Sequence, residues 1–429
     1  MTRVSKDLLK IKKVFENEEY INEDEIEEME INTVFIYDLK ENASYIADER
    51  EQGYVRHSIE SIILCLIFAM LANCNTFTQI HLFMKKHFSW LNKHIKFENG
   101  LPSISTVKRV AAIINPKELE QLCVDNMNKF LIDNEPIFRD KYFVINDIKS
   151  MDGKTANSSD RKSSANGEVA KTNAMSCYSY KKEYCLATEF IEKKTNEIPT
   201  GVELLKRVNI ENCIIVFDAL STQTDTIKYI ASNNGHYVAP VKGNQPTLEE
   251  NIRSYFDNKV LYNKAKEENY YVVKEKAHGH FEQREYIFTN DVDWLYKKYD
   301  WMNLQSIGIA VRTYEDENGK MVKDTRYYIS DLDAKWIKLI SKAIRGEWCI
   351  ENNLHYYLDT VFLEDKNKSF LGNSQKNLNI IRKFCMSILK ENKSTTNLSM
   401  NSIRFNISMD FENEIEKIII PLYDKQVKF

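Results

Sequence analysis

The segment Cys213-Ile214-Ile215-Val216-Phe217-Asp218-Ala219 decides how this chain folds. Its five consecutive apolar residues, three of them β-branched, are typical of a strand that lies in the centre of a sheet and is buried on both faces. Asp218 follows directly, so a carboxylate is expected at the mouth of the buried strand.

Further strand and helix patterns surround this segment. Strands are predicted near 142–152, at Ala174–Tyr180, Tyr184–Ile191 and His236–Val241, and helices at Leu204–Val208 and Thr224–Ser232. This order of three strands, helix, strand, helix and strand predicts an α/β fold with an RNase H-like mixed sheet. The polar stretch Ala156–Lys171 is predicted to be a mobile loop.

Strand patterns return before a helical C-terminal part. The strands are predicted at Tyr270–Lys274, Phe281–Phe288, Ser306–Thr313 and Arg326–Ile329, and the helices at Lys335–Leu363 and Leu378–Glu391. These strands indicate a β-strand insertion at about 250–330 within a catalytic domain spanning 140–395. An N-terminal helical domain is predicted at 51–135, after an acidic arm at 1–50. The tail 396–429 has too weak a pattern to place.

Composition narrows the class of protein. The chain has 429 residues, 43% of them hydrophobic, which is enough for a sizeable core. Its net charge of −4 is not that of a strongly basic nucleic-acid binder. Residues 1–60 carry 16 acidic and 8 basic side chains, however, which leaves +4 for the remainder. A modest basic surface facing DNA is compatible with that balance, as is an ordinary solvated surface.

Two patterns bear on the cellular location. The longest apolar run, Ile62–Ala72, has 11 residues and is too short to span a bilayer, and Met1–Lys6 lacks the apolar core of a signal peptide. The eight cysteines form no CxxC pair, which predicts buried, reduced thiols. We therefore expect a cytoplasmic protein that is not associated with a membrane.

Three acidic residues suit a two-metal phosphoryl-transfer site: Asp152, Asp218 and Glu351. The first two are predicted at strand ends and the third on a helix. Carboxylates hold Mg²⁺, and two such ions can activate water or a 3′-hydroxyl and stabilise the leaving oxygen. Two Mg²⁺ ions are expected, with Mn²⁺ as a substitute. Alternatively, Asp152-Gly153 is a turn pair and Asp218 caps a helix near Thr222.

His355 and Asp359 follow Glu351 at intervals of four residues, so one helix face carries all three. We expect these two residues to support Glu351 or to face DNA, and a purely structural histidine is the alternative. A zinc site is disfavoured because the HExxH spacing and a Cys/His cluster are absent from the sequence.

Several polar residues are candidate DNA-phosphate ligands, since Lys and Arg side chains and Gly-containing loops contact phosphates in this way. They are Lys154, Lys242, Asn244, Arg284, Arg326 and Arg345. A polar turn is the alternative for 242–244. For the arginines, the alternative is internal ion pairing with Glu282, Glu285 or Glu347.

Six sequence blocks in this order resemble the H-repeat-associated family of insertion-sequence transposases, which belongs to the DDE class. The blocks are Met151–Thr155, Phe217–Ala219 with Gln223, Lys242–Gln245, His278–Arg284, Arg326–Ser330 and Arg345–Asp365. The resemblance extends from about Tyr54 to Lys390. It implies that Asp152, Asp218 and Glu351 are the metal-holding triad, and that residues from about 54 to 130 match the helical domain associated with this family.

The sequence departs from the family pattern at four positions. Glu347 stands where the family usually has His, Tyr356 where it has Trp, and His280 where it has Arg. Leu358 occupies the place seven residues past the catalytic Glu, where the broader group often has Lys. A Lys partner for Glu351 is therefore not expected.

The resemblance implies a transposase that cuts the ends of an insertion sequence and joins them to target DNA. Its partners would be double-stranded terminal inverted repeats and target DNA, and a homodimer is expected by analogy because two ends must be paired. Two alternatives stay open. One is a retired transposase that acts as a DNA-binding or regulatory protein, and the other is a general Mg²⁺-dependent nuclease.

Overall fold

The computed structural model describes residues 35–130, 135–141, 143–156, 173–191, 197–277, 280–316, 319–366 and 371–427. The predicted loop Ala156–Lys171 lies outside these ranges except for its first residue. So do residues 1–34 of the acidic arm, His278-Gly279 and the side chain of His280.

Consecutive helices form the N-terminal region, in agreement with the prediction. They are α1 (Ile59–Leu71), α2 (Phe77–Lys86), α3 (Phe88–Ile95), α4 (Ile104–Ile113) and α5 (Pro116–Phe130). Helix α1 is apolar on all sides and almost wholly buried, so it must be surrounded. Thr76 and Gln79 form a reciprocal capping box that fixes the start of α2.

The C-terminal helices pack around α1. They are α12 (Ser374–Thr396), α13 (Met400–Met409) and α14 (Phe411–Val427). Helix α12 contacts α1, α4 and α5, and all of these helices share one hydrophobic core. The tail that the sequence pattern leaves unplaced is thus helical and belongs to the same core as the N-terminal helices.

Among the described residues, nine strands form one sheet in the order β5-β4-β3-β6-β7-β11-β10-β9-β8. Its first five strands are β3 (Asp147–Thr155), β4 (Asn173–Ser179), β5 (Cys185–Ile191), β6 (Cys213–Phe217) and β7 (His236–Val241). Strands β3, β4 and β5 are antiparallel neighbours, whereas β6 and β7 run parallel to β3. This is the RNase H-like arrangement, and the predicted fold class is confirmed.

The single strand predicted near 142–152 is instead two elements. The ribbon of β1 (Phe138–Arg139) and β2 (Val144–Ile145) is separate from the main sheet, and β3 begins after Asn146. The Asn146 N–H donates to the carbonyl of Asn212, so the residues that precede β3 and β6 are already joined where the two strands begin.

The insertion continues the main sheet. Helices α8 (Pro246–Asp257) and α9 (Lys259–Glu268) precede the antiparallel strands β8 (Tyr270–Ala277), β9 (His280–Thr289), β10 (Ser306–Glu315) and β11 (Met321–Ser330). Strand β11 pairs with β7, so the insertion is joined to the RNase H-like strands by backbone hydrogen bonds. Each of these strands is longer than its predicted counterpart.

Helices cover both faces of the sheet. On one face lie α6 (Glu197–Leu205) and α7 (Thr224–Ser232), and on the other lies α10 (Ile337–Ile350). Helix α6 comes earlier in the chain than the predicted Leu204–Val208. Leu204 and Leu205 are buried against the sheet as the last residues of the helix and not as its first. A π-helical turn, Glu351–His355, and α11 (Tyr356–Thr360) follow α10.

Two further observations concern the whole described chain. All eight cysteines are free thiols. In the described residues, no helix has both the length and the apolar character needed to cross a bilayer.

Arg404 of α13 joins the C-terminal helices to the rest of the helical core. Its guanidinium is fully buried and donates to the carbonyl of Met70 at 2.7 Å, to Asn75 Oδ1 at 3.0 Å, and to the carbonyl of Val361. It also lies over the Phe362 ring, 4.3 Å from the centroid. One side chain therefore satisfies backbone acceptors at the ends of two other helices.

We predict that Arg404→Met lowers the free energy of unfolding by about 3 kcal/mol, because two buried carbonyls lose their donor. Urea denaturation of the metal-free protein would measure the change. The matched control is Arg109→Met on the exposed face of α4, which should stay within about 0.5 kcal/mol of the wild type. Equal midpoints for the two variants would contradict this role for Arg404.

Candidate active site

The parallel pairing of β3 and β6 places Asp152 beside Asp218. Met151 is paired with Phe217, so the residues that follow them, Asp152 and Asp218, lie at the same level along the two strands. Met151 and Phe217 face the core under α6 and α7. Side chains alternate along a strand, so the two carboxylates belong to the opposite face, which α10 covers.

Neither structural alternative for these two residues is present. Strand β3 continues past Asp152 to Thr155, so Asp152-Gly153 is not a turn and the prediction of a strand end at Asp152 is wrong. Asp218 makes no side-chain capping hydrogen bond, and the N-cap of α7 is Gln223.

Helix α10 brings the third carboxylate to the same place because it packs closely on β3. A Cβ atom on Gly346 would lie 2.8 Å from Ile148 Cγ2, so only glycine allows this approach. The Ser150 hydroxyl also donates to the Gly346 carbonyl. Glu351 follows just over one turn later, where the helix widens into the π-helical turn. Such turns are frequent at functional sites.

His355 lies between two of the carboxylates. Its Nδ1 is 2.8 Å from Glu351 Oε2 and 3.5 Å from Asp152 Oδ2. One oxygen of Asp152, one oxygen of Glu351 and one ring nitrogen of His355 all lie within 4.8 Å of one another. His355 is buried, whereas Glu351 and Asp218 are exposed. The cluster is thus fixed on its inner side and accessible on its outer side.

The electrostatics of the cluster suit a divalent cation. Burial raises the pKa of Asp152, and the nearby charges of Glu351 and Asp218 raise it further, against the lowering effects of His355 and the Gly153 N–H. The hydrogen bond from His355 lowers the pKa of Glu351. A bound cation would relieve the repulsion among three converging carboxylates, whose oxygens are the ligands that Mg²⁺ prefers.

Lys154 and Asp359 contact each other. The Lys154 ammonium donates to both oxygens of Asp359, at 2.7 and 2.6 Å. This ion pair joins the end of β3 to α11, beside the carboxylate cluster. The structure thus brings both predicted residues to the site, with Lys154 bound to a carboxylate of the protein.

Glu347 is a further acidic residue of the site, and the sequence analysis gave it no role there. Burial raises its pKa to about 7, and the charges of Asp218 and Asp152 also raise it, whereas Arg326 and Lys242 lower it. Its spacing of four residues before Glu351 is the signal that could have found it, since both then share a helix face.

Arg326 and Lys242, two of the predicted phosphate ligands, lie close enough to Glu347 to lower its pKa. Arg326 also lies over the Trp348 ring, 5.1 Å from the centroid, and is 3.4 Å from Asp324. Lys242 is exposed directly after β7.

The remaining predicted ligands make internal contacts. Arg284 pairs with Glu282 and, at 2.9 Å, with Glu275, while Arg345 is 3.8 Å from the same Glu275. The ion pair with Glu282 is the alternative that the sequence left open for Arg284.

Asn244 holds the segment that follows Asp218. Its Nδ2 donates to the carbonyl of Ala219 at 2.6 Å. In this structure the amide therefore stabilises the turn after β6, next to a carboxylate of the cluster.

Comparison with known proteins agrees with this geometry. The family model described as a transposase DDE domain matches residues 138–389, more than half of the chain. The chain belongs to the DDE transposase family. A second model, described as DDE_Tnp_1-associated, matches residues 41–126, the N-terminal helical region of this transposase. The family implies a DNA-cleaving enzyme that depends on a divalent metal, and the resemblance seen in the sequence is confirmed.

Two relatives from Escherichia coli K12 align over 83% of this transposase and 91% of their own length. "Putative protein YbfL" is 32% identical, and "H repeat-associated putative transposase YhhI" is 31% identical. Among solved structures, the synaptic complex of piggyBac transposase with hairpin DNA aligns over 92% of this chain and 79% of its own. Its TM-score is 0.38 and its sequence identity 12%.

Glu347 should make the stability of the metal-free protein pH-dependent. Its pKa is raised in the folded state, so the folded protein binds a proton that the unfolded chain has lost. Stability is then lost as pH rises from about 4.5 through about 7. We predict that Glu347→Gln is more stable than the wild type at pH 8 by on the order of 2 kcal/mol, and close to it at pH 5.

Urea denaturation in EDTA at the two pH values would measure this difference, with the exposed Glu98→Gln as the control. Wild type and Glu347→Gln showing the same pH dependence would contradict the prediction.

Proposed function

We propose that this protein cuts the ends of an insertion sequence and joins them to target DNA, with Asp152, Asp218 and Glu351 as the metal-binding carboxylates. The metal proposed is Mg²⁺, as two ions, with Mn²⁺ as a substitute. The observation that supports the proposal most is the register of β3 with β6, which sets Asp152 beside Asp218 on the face that α10 covers. Glu351, which follows α10, has a carboxylate oxygen within 4.8 Å of one of Asp152.

The chemistry divides between the metal and the chain. Bound divalent ions would supply activation of a water or a 3′-hydroxyl and stabilisation of the leaving oxygen. The chain supplies placement. Its carboxylates are fixed by the sheet register and by the close packing at Gly346, so little reorganisation is needed when substrate arrives. The exposed sides of Asp218 and Glu351 leave room for a phosphate to approach.

The DNA partner is proposed to be double-stranded, namely terminal inverted repeats and target DNA. Lys242 and Arg326 border the carboxylates and are the basic side chains best placed for the phosphates next to the scissile one. Arg284 and Arg345 share Glu275 and would contact DNA farther along the insertion. Lys154 would act through Asp359. Two ends must be paired, so a homodimer at nucleoid DNA in the cytoplasm is proposed.

We predict that Asp152→Asn and Asp218→Asn each lower Mg²⁺-dependent cleavage of DNA carrying the element's own terminal repeats by at least about a hundredfold. Binding of the same DNA in a gel-shift assay should persist, because the phosphate contacts come from other residues. Asp225→Asn, in the first turn of α7, is the control and should cut normally.

Normal cleavage by the Asp152→Asn protein would refute the assignment. Wild-type protein that cuts scrambled DNA as fast as the terminal repeats would indicate the general nuclease instead. A wild type that binds the repeats and never cuts them would indicate the retired regulatory protein.

A further inference from the structure

We propose that His355 is itself a metal ligand, binding through Nδ1 beside Asp152 and Glu351 and giving one metal position a mixed nitrogen and oxygen ligand set. The inference rests on the proposed function and adds to its three carboxylates a residue that the sequence analysis expected to support Glu351 or to face DNA.

The first observation is the spacing of the donor atoms. Octahedral ligands at about 2.1 Å from a cation lie about 3 Å apart when adjacent and about 4.2 Å apart when opposite. Nδ1 is 2.8 Å from the Glu351 oxygen and 3.5 Å from the Asp152 oxygen, and the three donors lie within 4.8 Å of one another. The two distances from Nδ1 are close to those of neighbouring corners of one coordination shell, and the two carboxylates are near enough to close around a cation with small side-chain movements.

The second observation is on the other side of the ring. His355 is only 4% exposed, and its Nε2 is buried with no hydrogen-bond partner among the described residues. The ring lines a cavity of about 10 Å³, which is room for one water. Ser176, Asn379 and Lys383 also line this cavity.

Asn379 supplies the acceptor that a metal-bound imidazole needs. Its Nδ2 donates to Glu364 at 2.7 Å, which leaves Oδ1 buried and without a partner among the described residues. Histidines that bind a metal through one nitrogen almost always donate the other N–H to an acceptor or a water, which fixes the ring. Metal binding at Nδ1 would displace the hydrogen bond to Glu351 and put the ring proton on Nε2. One water in the cavity that both residues line would then accept from Nε2–H and donate to Asn379 Oδ1.

A nitrogen ligand has a consequence for metal choice. Imidazole binds divalent transition-metal ions, of which Mn²⁺ is the weakest binder and the one closest to Mg²⁺ in its use of oxygen ligands, whereas Mg²⁺ is held by oxygen. His355 should therefore make this position favour Mn²⁺ over Mg²⁺. We expect His355→Ala to weaken Mn²⁺ binding by about ten- to a hundredfold, and Mg²⁺ binding by less.

The decisive measurement is pulsed EPR of Mn²⁺ added to the full-length protein in the absence of DNA. Protein grown with ¹⁴N- or ¹⁵N-histidine should show a nitrogen coupling to Mn²⁺ that changes with the isotope. The wild-type spectra show whether a histidine binds Mn²⁺ at all, and that result does not depend on whether a variant folds; the variants assign the coupling to His355. His81→Ala, which removes a histidine of α2, should keep the coupling, and His355→Ala should lose it.

Titration of Mn²⁺ and Mg²⁺ provides a second readout. Asn379 is a positioning residue in this scheme, so Asn379→Leu should weaken Mn²⁺ binding about tenfold while Asn379→Asp, which keeps an acceptor, should restore most of it. Mn²⁺ bound without histidine coupling would overturn the inference and leave the carboxylate site of the proposed function intact. No Mn²⁺ binding at all would overturn both.

Discussion

The parallel pairing of β3 with β6 is the constraint on which the rest of the structure depends. Strand β6 is buried along its whole length and can satisfy its backbone only within a sheet. The two strands run in the same direction and Met151 is paired with Phe217. Asp152, within β3, therefore lies beside Asp218, which directly follows β6. The 66 positions that separate them in sequence have no bearing on their separation in space.

Helix α10 turns this pair of carboxylates into a site, at an electrostatic cost. The narrow contact at Gly346 brings Glu347 and Glu351 against a surface that is already acidic. Four carboxyl groups then lie within range of one another, offset by Arg326, Lys242 and His355. Repulsion among these carboxylates destabilises the metal-free fold, and a bound cation would reduce that repulsion.

The elements with a clear hydrophobic pattern were predictable from the sequence. A continuous apolar run marks β6, alternating apolar residues mark the strands of the insertion, and the order of strands and helices indicated the RNase H-like sheet. Asp152, Asp218 and Glu351 were predicted as site residues because strand patterns and short motifs mark them. The position of Asp152 relative to Asp218 depends on how β3 pairs with β6, and the sequence of neither strand alone specifies that register.

The sequence pattern predicted α12, as Leu378–Glu391, but it left the tail helices α13 and α14 unplaced. Polar side chains are buried among the apolar ones in this part of the chain. On α12, Asn377 donates to the carbonyls of Ala111 and Ile114, and Lys383 donates to Ser176 and Thr188. On α13, Arg404 is fully buried, and a charged residue at a buried position breaks the apolar period that marks a core helix. The role of His355 was left open for a similar reason, since a histidine on a helix face has no pattern of its own.

The pairing of β11 with β7 has a consequence for how this fold can be altered. Removing residues 246–330 would expose the backbone N–H and C=O groups of β7 and make it an unpaired edge strand next to the carboxylates. Such a truncated protein would tend to self-associate through that edge strand. Added sequence at the hairpin between β10 and β11, far from the seam, would disturb no backbone pairing of β7. We therefore expect the insertion to tolerate added residues at the β10–β11 hairpin, whereas deleting β11 would disrupt the sheet at β7.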